Sequence, residues 1–212
     1  MAFKIAINKS YQGKPPKMDF ETSQAWYRAY NGRFHNVALT VEELHAEIMQ
    51  GHGLTPQHRN YRHSKNFVCG QHIGLDFDTE DENSRIATLI EDDFIAQYAA
   101  ILYTTPSHTE EAPRCRVIFL LDRPIYDPEK YTELAAALLW RYGLADQSCS
   151  DPQRLFFGAG AGADSAISGN MLDLEAARDE LIVPFRAWQE INQLEQEERN
   201  KNRVVVAANE VK

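Results

Sequence analysis

Two aspartates one residue apart, Asp76 and Asp78, close the apolar run Ile73-Gly74-Leu75. Residues i and i+2 of a strand point to the same face, so this spacing predicts two carboxylates side by side at a strand end. Like charges that close repel unless a cation lies between them. Hard oxygen donors at this spacing suit Mg²⁺ or Mn²⁺, which also coordinate phosphate oxygens. The competing reading is a strand that runs into an acidic turn, because Glu80, Asp81 and Glu82 follow.

Two further segments could carry chemistry. In Tyr103-Thr-Thr-Pro-Ser107-His108-Thr, a histidine sits in a polar turn between two apolar runs, from which it can reach outward to a phosphate. The following Pro113-Arg114-Cys-Arg116-Val-Ile-Phe places two arginines on one strand face, suited to phosphates or base edges. In Ser148-Cys-Ser-Asp151-Pro-Gln-Arg154-Leu-Phe-Phe-Gly158, an aspartate leads an apolar stretch, with Arg154 three residues on. Each segment alone also fits an ordinary turn with edge-strand arginines.

The elements that must position these residues are legible in part. Residues 3–8 read as a strand and 9–19 as a polar loop with prolines. Thr40-Val-Glu-Glu43 has capping-box spacing and opens a helix ending before Gly51. Residues 52–65 are polar and basic and read as an exposed loop, followed by an extended stretch over 66–78. Ile86, Leu89, Ile90 and Phe94 recur at helical spacing, and residues 99–105 and 114–122 are apolar strands. Asp127-Pro128 is an N-cap with a proline behind it, starting a helix that stops at Gly143. Residues 154–159 read as a short strand and 173–198 as helical. Strands and helices mix without regular βαβ alternation, which predicts an α+β fold around a largely antiparallel sheet flanked by helices, plus an N-terminal α/β portion. The charged, Gln-rich stretch from Gln189 predicts a boundary: a domain over 1–188 and a helical tail or linker over 189–212.

Bulk properties constrain the setting. The net charge of −9 argues at first against a polyanionic partner. Its distribution softens that: residues 1–72 carry nine Lys/Arg against five Asp/Glu and six of the seven histidines. Three widely spaced cysteines, Cys69, Cys115 and Cys149, imply a reducing interior. No apolar run approaches the ~20 residues that cross a bilayer, and the first residues lack a signal-peptide core. The cytoplasm and no membrane partner are expected. Gly158-Ala-Gly160-Ala-Gly162 lacks the Lys-Ser/Thr of a phosphate loop and reads as a flexible turn. Cys69-x-x-His72 has zinc-knuckle spacing without a second pair. Trp26, Tyr27 and Tyr30 near Arg28 and Arg33 could stack bases, although a packed aromatic cluster explains them more simply. His58 and His63 beside Arg59, Arg62 and Lys65 fit a solvated basic loop as well as a nucleic-acid contact.

Taken together, Asp-x-Asp, the Ser-His turn and Asp151 leading Arg154, in this order, resemble the three motifs of the archaeo-eukaryotic primase superfamily. The likeness is closest to primase-polymerase domains of phages, plasmids and other mobile elements, and runs from about Asn36 to Gly158. One departure is that the serine usually stands two places before the histidine, where this chain has Pro106. The resemblance implies an RRM-like catalytic core for template-directed nucleotidyl transfer, as a DNA primase or DNA polymerase. It implies that Asp76, Asp78 and Asp151 are catalytic and bind two Mg²⁺ or Mn²⁺ ions, and that His108, Ser107, Arg116 and Arg154 hold the incoming nucleotide. DNA template and primer, nucleoside triphosphates, and a helicase domain or subunit are the implied partners. The alternatives are a catalytically silent RRM-like nucleic-acid-binding module and a nucleotide-sugar transferase, which would explain Asp76 and Asp78 but not His108 or Asp151.

Overall fold

Two antiparallel sheets form the frame. The computed structural model describes the backbone of residues 1–210 and the side chains of residues 1–200. The first sheet has the order β2-β1-β3, from β1 (Phe3–Gln12), β2 (His35–Leu39) and β3 (His52–Thr55). The second has the order β4-β5-β7-β6-β8, from β4 (Gln57–His58), β5 (Phe67–Phe77), β6 (Ile101–Thr104), β7 (Cys115–Ile125) and β8 (Ser165–Ile167). The expected α+β class with antiparallel sheets flanked by helices is what the chain adopts, and the smaller sheet is its N-terminal portion.

The helices begin where side-chain caps allow. Asp19 accepts from the Thr22 amide and starts α1 (Phe20–Asn31). The capping box forms at Thr40 and Glu43 and starts α2 (Val41–Met49). Asp92 accepts from the Ile95 amide, so the apolar period over 84–97 is split into α3 (Ile86–Leu89) and α4 (Asp93–Tyr98) instead of one helix. Asp127 caps α5 (Pro128–Arg141) as its sequence predicts. The C-terminal helical stretch is α6 (Leu174–Ala177), a π turn over Arg178–Ile182, and α7 (Val183–Glu210), which runs through residue 188 without a break. No helix among the described residues is long and apolar enough to cross a membrane.

The strands that frame the site are buried throughout. On β5, Ile73 and Leu75 are fully buried, and so are Val117 to Leu121 on β7. Helix α5 lies against β5 so closely that a Cβ at Gly70 would meet the Tyr131 ring at 2.2 Å, and the Tyr131 hydroxyl donates to the His72 carbonyl at 2.9 Å.

Two segments differ from their sequence expectation. Residues 52–65 are not an exposed loop at their start: His52–Thr55 is a buried strand on β1, because tertiary pairing satisfies its polar backbone. Residues 154–159 form no strand; Phe156 makes reciprocal backbone bonds with Leu54, and the Ala159 amide donates to the Ile48 carbonyl. They pass so close to residues 51–52 that a Cβ at Gly158 would lie 2.5 Å from Gly51 backbone, which only glycine permits. The Gly/Ala run over 158–162 is loop and turn, as its sequence predicts, and leads into β8.

Candidate active site

The pairing of β5 with β7 sets the centre of the site. Asp76 lies directly opposite Arg116, and the register carries on outward so that Asp78 meets Arg114. Two same-face carboxylates thus stand against two same-face guanidinium groups, the arrangement that i, i+2 spacing on paired strands produces. The members of this ladder differ in depth. The Asp76 side chain is 13% exposed and that of Asp78, just past the strand end, 50%.

Arg116 is turned inward. Its Nε donates to Asp76 Oδ1 at 2.5 Å, and its Nη1 donates to the Tyr103 hydroxyl at 2.7 Å and the Phe157 carbonyl at 2.5 Å. The guanidinium also lies 4.6 Å from the Phe156 ring centre. Burial disfavours its charge, but the Asp76 carboxylate outweighs that and holds Arg116 firmly protonated. Burial pushes the Tyr103 hydroxyl up to about 12, so it stays a neutral hydrogen-bonding post.

A residue that sequence reasoning passed over joins this centre. The Asp146 amide donates to the Asp76 carbonyl at 2.8 Å, which fixes the two chains side by side. Oxygens of Asp76 and Asp146 and the sulfur of Cys149 all lie within 4.8 Å of one another. Arg154 bridges the two carboxylates through one nitrogen, 3.1 Å from Asp76 and 2.8 Å from Asp146, and also contacts Ser148. Burial works against ionisation of Asp146, yet donation from Ser148 and the charge of Arg154 hold it below the usual carboxylate range. Burial pushes the Cys149 thiol up to about 12, so it remains protonated and is a poor donor to a hard cation. That leaves two hard carboxylates, with one guanidinium nitrogen hydrogen-bonded between them. The donor set therefore fits Mg²⁺ or Mn²⁺. A signal for Asp146 exists in the sequence, since Asp-x-Ser is a capping turn, but its approach to Asp76 depends on the fold.

A cleft of about 560 Å³ opens over this centre. Asp76, Asp78, Asp146 and Asp151 line it, and so do Arg62, Arg114, Arg116, Arg154 and Lys14. Asp151 is in the cleft but accepts from the Gln153 amide at 2.9 Å and its side chain at 3.2 Å, closing its own turn. Ser107 also lines the cleft, 3.4 Å from Lys14 Nζ. His108 is one step behind Ser107 in the turn and is not among the lining residues. Its Nδ1 accepts from the Arg114 amide at 3.0 Å, so a neutral His108 carries its proton on Nε2, free to donate. Of the candidate residues, the structure gathers Asp76, Asp78, Asp151, Ser107, Arg116 and Arg154 in one cleft, with His108 at its edge. Cys69 and His72, which share zinc-knuckle spacing, are both buried. Cys69 contacts Gln57, and both nitrogens of His72 lack a partner.

The chain matches the family model described as the VapE N-terminal domain over residues 54–196, more than half its length. No curated protein matches it. Among solved structures it is similar to the AEP domain of the cyanophage S-2L primase-polymerase (PrimPol), at 13% identity, covering 84% of this chain and 88% of that one, with a TM-score of 0.49.

Proposed function

This chain belongs to the VapE N-terminal domain family, and from that premise we propose that it is the catalytic domain of a primase-polymerase, joining nucleotides on a DNA template. The observation that carries the reading is one cleft in which carboxylates sit on the floor beside a wall of five cationic side chains. A triphosphate with its divalent cations needs both.

Asp76 and Asp78 would hold the cations together with a third carboxylate, Asp151 or the better placed Asp146. Such ions neutralise the triphosphate and stabilise the attacking and leaving oxygens of an in-line displacement. The rest is done by the chain's own groups. Arg116, with its donors already engaged, holds Asp76 in place. Arg154 bridges Asp76 and Asp146 and would turn to phosphate once cations take its place between the carboxylates. Arg114, Arg62 and Lys14 add charge at the cleft wall. His108, with its proton on Nε2, donates to a phosphate oxygen across the Ser107 turn. The wider setting we infer is replication of a phage or other mobile element in the cytoplasm, with a helicase domain or subunit alongside.

Incorporation of nucleotides on a primed template, with Mg²⁺ or Mn²⁺, tests the reading. Side-by-side assay of Asp146→Ala and Asp151→Ala identifies the third carboxylate: the true ligand loses on the order of a hundred-fold or more, the other far less. Absence of incorporation by the wild type, with sugar nucleotides consumed instead, would overturn it.

A further inference from the structure

Beside the cleft runs a second groove, of about 360 Å³, lined by Phe20, Ser23, Gln24, Tyr27, Arg28, Asn31 and Tyr61. We propose that this groove binds the single-stranded template on its way into the cleft, a proposal that rests on the nucleotidyl-transfer reading above. The two cavities adjoin. Tyr27 lines both, and Asn31 in the groove accepts from Arg62 Nε at 2.9 Å, while Arg62 lines the cleft.

Three aromatic side chains stand on this path. Phe20 is 74% exposed on the first residue of α1, with no burial to explain an apolar ring there. Tyr27 is braced edge-on against Trp26 at 5.0 Å, and Trp26 stacks at 4.6 Å on the buried Tyr30. The backing is therefore rigid, and Tyr27 is presented without the entropy of a loose side chain. Tyr61 packs beside Gly32, whose Cβ position lies 3.7 Å from the Tyr61 ring. Rings spaced along a groove stack unpaired bases of any sequence, whereas paired bases expose no face to them.

Charge is the independent argument. No carboxylate lines the groove. Asp19 and Glu21 flank Phe20 in sequence, but Asp19 is engaged in capping α1. Arg28 lines the groove and has no carboxylate within 4.0 Å among the described residues, and the same holds for Lys17, Arg33, Arg59 and Lys65 in the flanking sequence. In a chain of net charge −9, cations left without partners in this stretch complement a polyanion.

The test is binding of a fluorescently labelled oligothymidylate by anisotropy, at several salt concentrations, with neither metal nor nucleotide present. Phe20→Ala and Tyr61→Ala should each weaken binding about ten-fold. Arg28→Ala should lower the salt slope by about 0.7, the loss of one phosphate contact to a single strand. The melting temperature of Phe20→Ala and Arg28→Ala should not move, so the test survives if Tyr61→Ala folds poorly. A Phe20→Ala/Arg28→Ala variant that binds like the wild type with the same slope would overturn the proposal. So would competition by a blunt duplex as effective as that by the single strand. Because the titration holds no metal or nucleotide, its outcome is independent of catalysis. Primer extension by the wild type reports separately on the nucleotidyl-transfer reading.

Discussion

In residues 1–72, Lys9 has a carboxylate partner, Glu47, whereas Lys14, Lys17, Arg28, Arg33, Arg59, Arg62 and Lys65 have none within 4.0 Å among the described residues. In residues 73–200, every arginine except Arg141 has one. The difference separates two uses of positive charge. A guanidinium locked between carboxylates holds them in place and contributes little field at a distance, because the charges cancel. A cation without a partner attracts polyanions over roughly a Debye length, about 10 Å at moderate salt. In the cleft the two kinds meet: Arg114, Arg116 and Arg154 are paired with its carboxylates, whereas Lys14 and Arg62 line it without such a partner among the described residues.

The largest expected effect breaks the locked side. Arg116→Met removes one of the two donors to the Phe157 carbonyl, which keeps the Tyr103 hydroxyl, and strips Asp76 of its inner partner, which should cost about 3–5 kcal/mol in urea unfolding. A loss below about 1 kcal/mol would mean that Arg154 alone supports Asp76 and that the contrast between the two sides is overstated.

Acid should reach the other side next. Burial lowers His58 and His72 to about 4. Among the described residues both nitrogens of each ring lack a side-chain or backbone partner. Their folded values lie below the unfolded 6.5, so the unfolded chain binds more protons in between. Stability should be level above pH 6.5 and fall as pH drops from 6.5 toward 4, by at most about 1.4 kcal/mol per pH unit for each histidine. Urea midpoints across that range check it, and His58→Gln should flatten the curve.

Smaller still is the effect on folding of removing unpaired cations. Arg28→Ala with Arg33→Ala should change stability by no more than about 0.5 kcal/mol, because neither makes an ion pair. A larger loss would show that these side chains hold α1 in place. Least of all should follow from ending the chain after Trp188, at the proposed domain boundary. Residues from Gln189 on bury almost nothing among those described, and the melting temperature should stay within a degree or two.

How much of this the sequence discloses depends on range. The Asp76–Asp78 strand, the flanking strands β6 and β7, and the caps at Thr40 and Asp127 rest on period and local chemistry, and they are where the sequence places them. Strand β3 is illegible because His-Gly-Leu-Thr has no alternation, and pairing with β1 makes it a strand. Helix α1, capped by Asp19, goes unread in the sequence because its mixed surface shows no clear apolar period. The place of Asp146 beside Asp76 is set by one backbone hydrogen bond across seventy residues, which no local pattern reveals. Arg116 was legible as a cation on the right face, yet only the strand register shows that it faces Asp76.

The central claim is that the carboxylates of the cleft serve metal-dependent nucleotidyl transfer, and Asp78 tests it most directly. Substituting Asp76 would strand two arginines and confound folding with chemistry, whereas the Asp78 side chain is half exposed and meets only Arg114, at 3.8 Å. The decisive measurement is primer extension by wild type and Asp78→Asn over a range of Mg²⁺ and Mn²⁺ concentrations, with a melting curve for each. The account predicts a loss on the order of a hundred-fold or more at unchanged melting temperature. Extension by Asp78→Asn at the wild-type rate and the same metal requirement would contradict it.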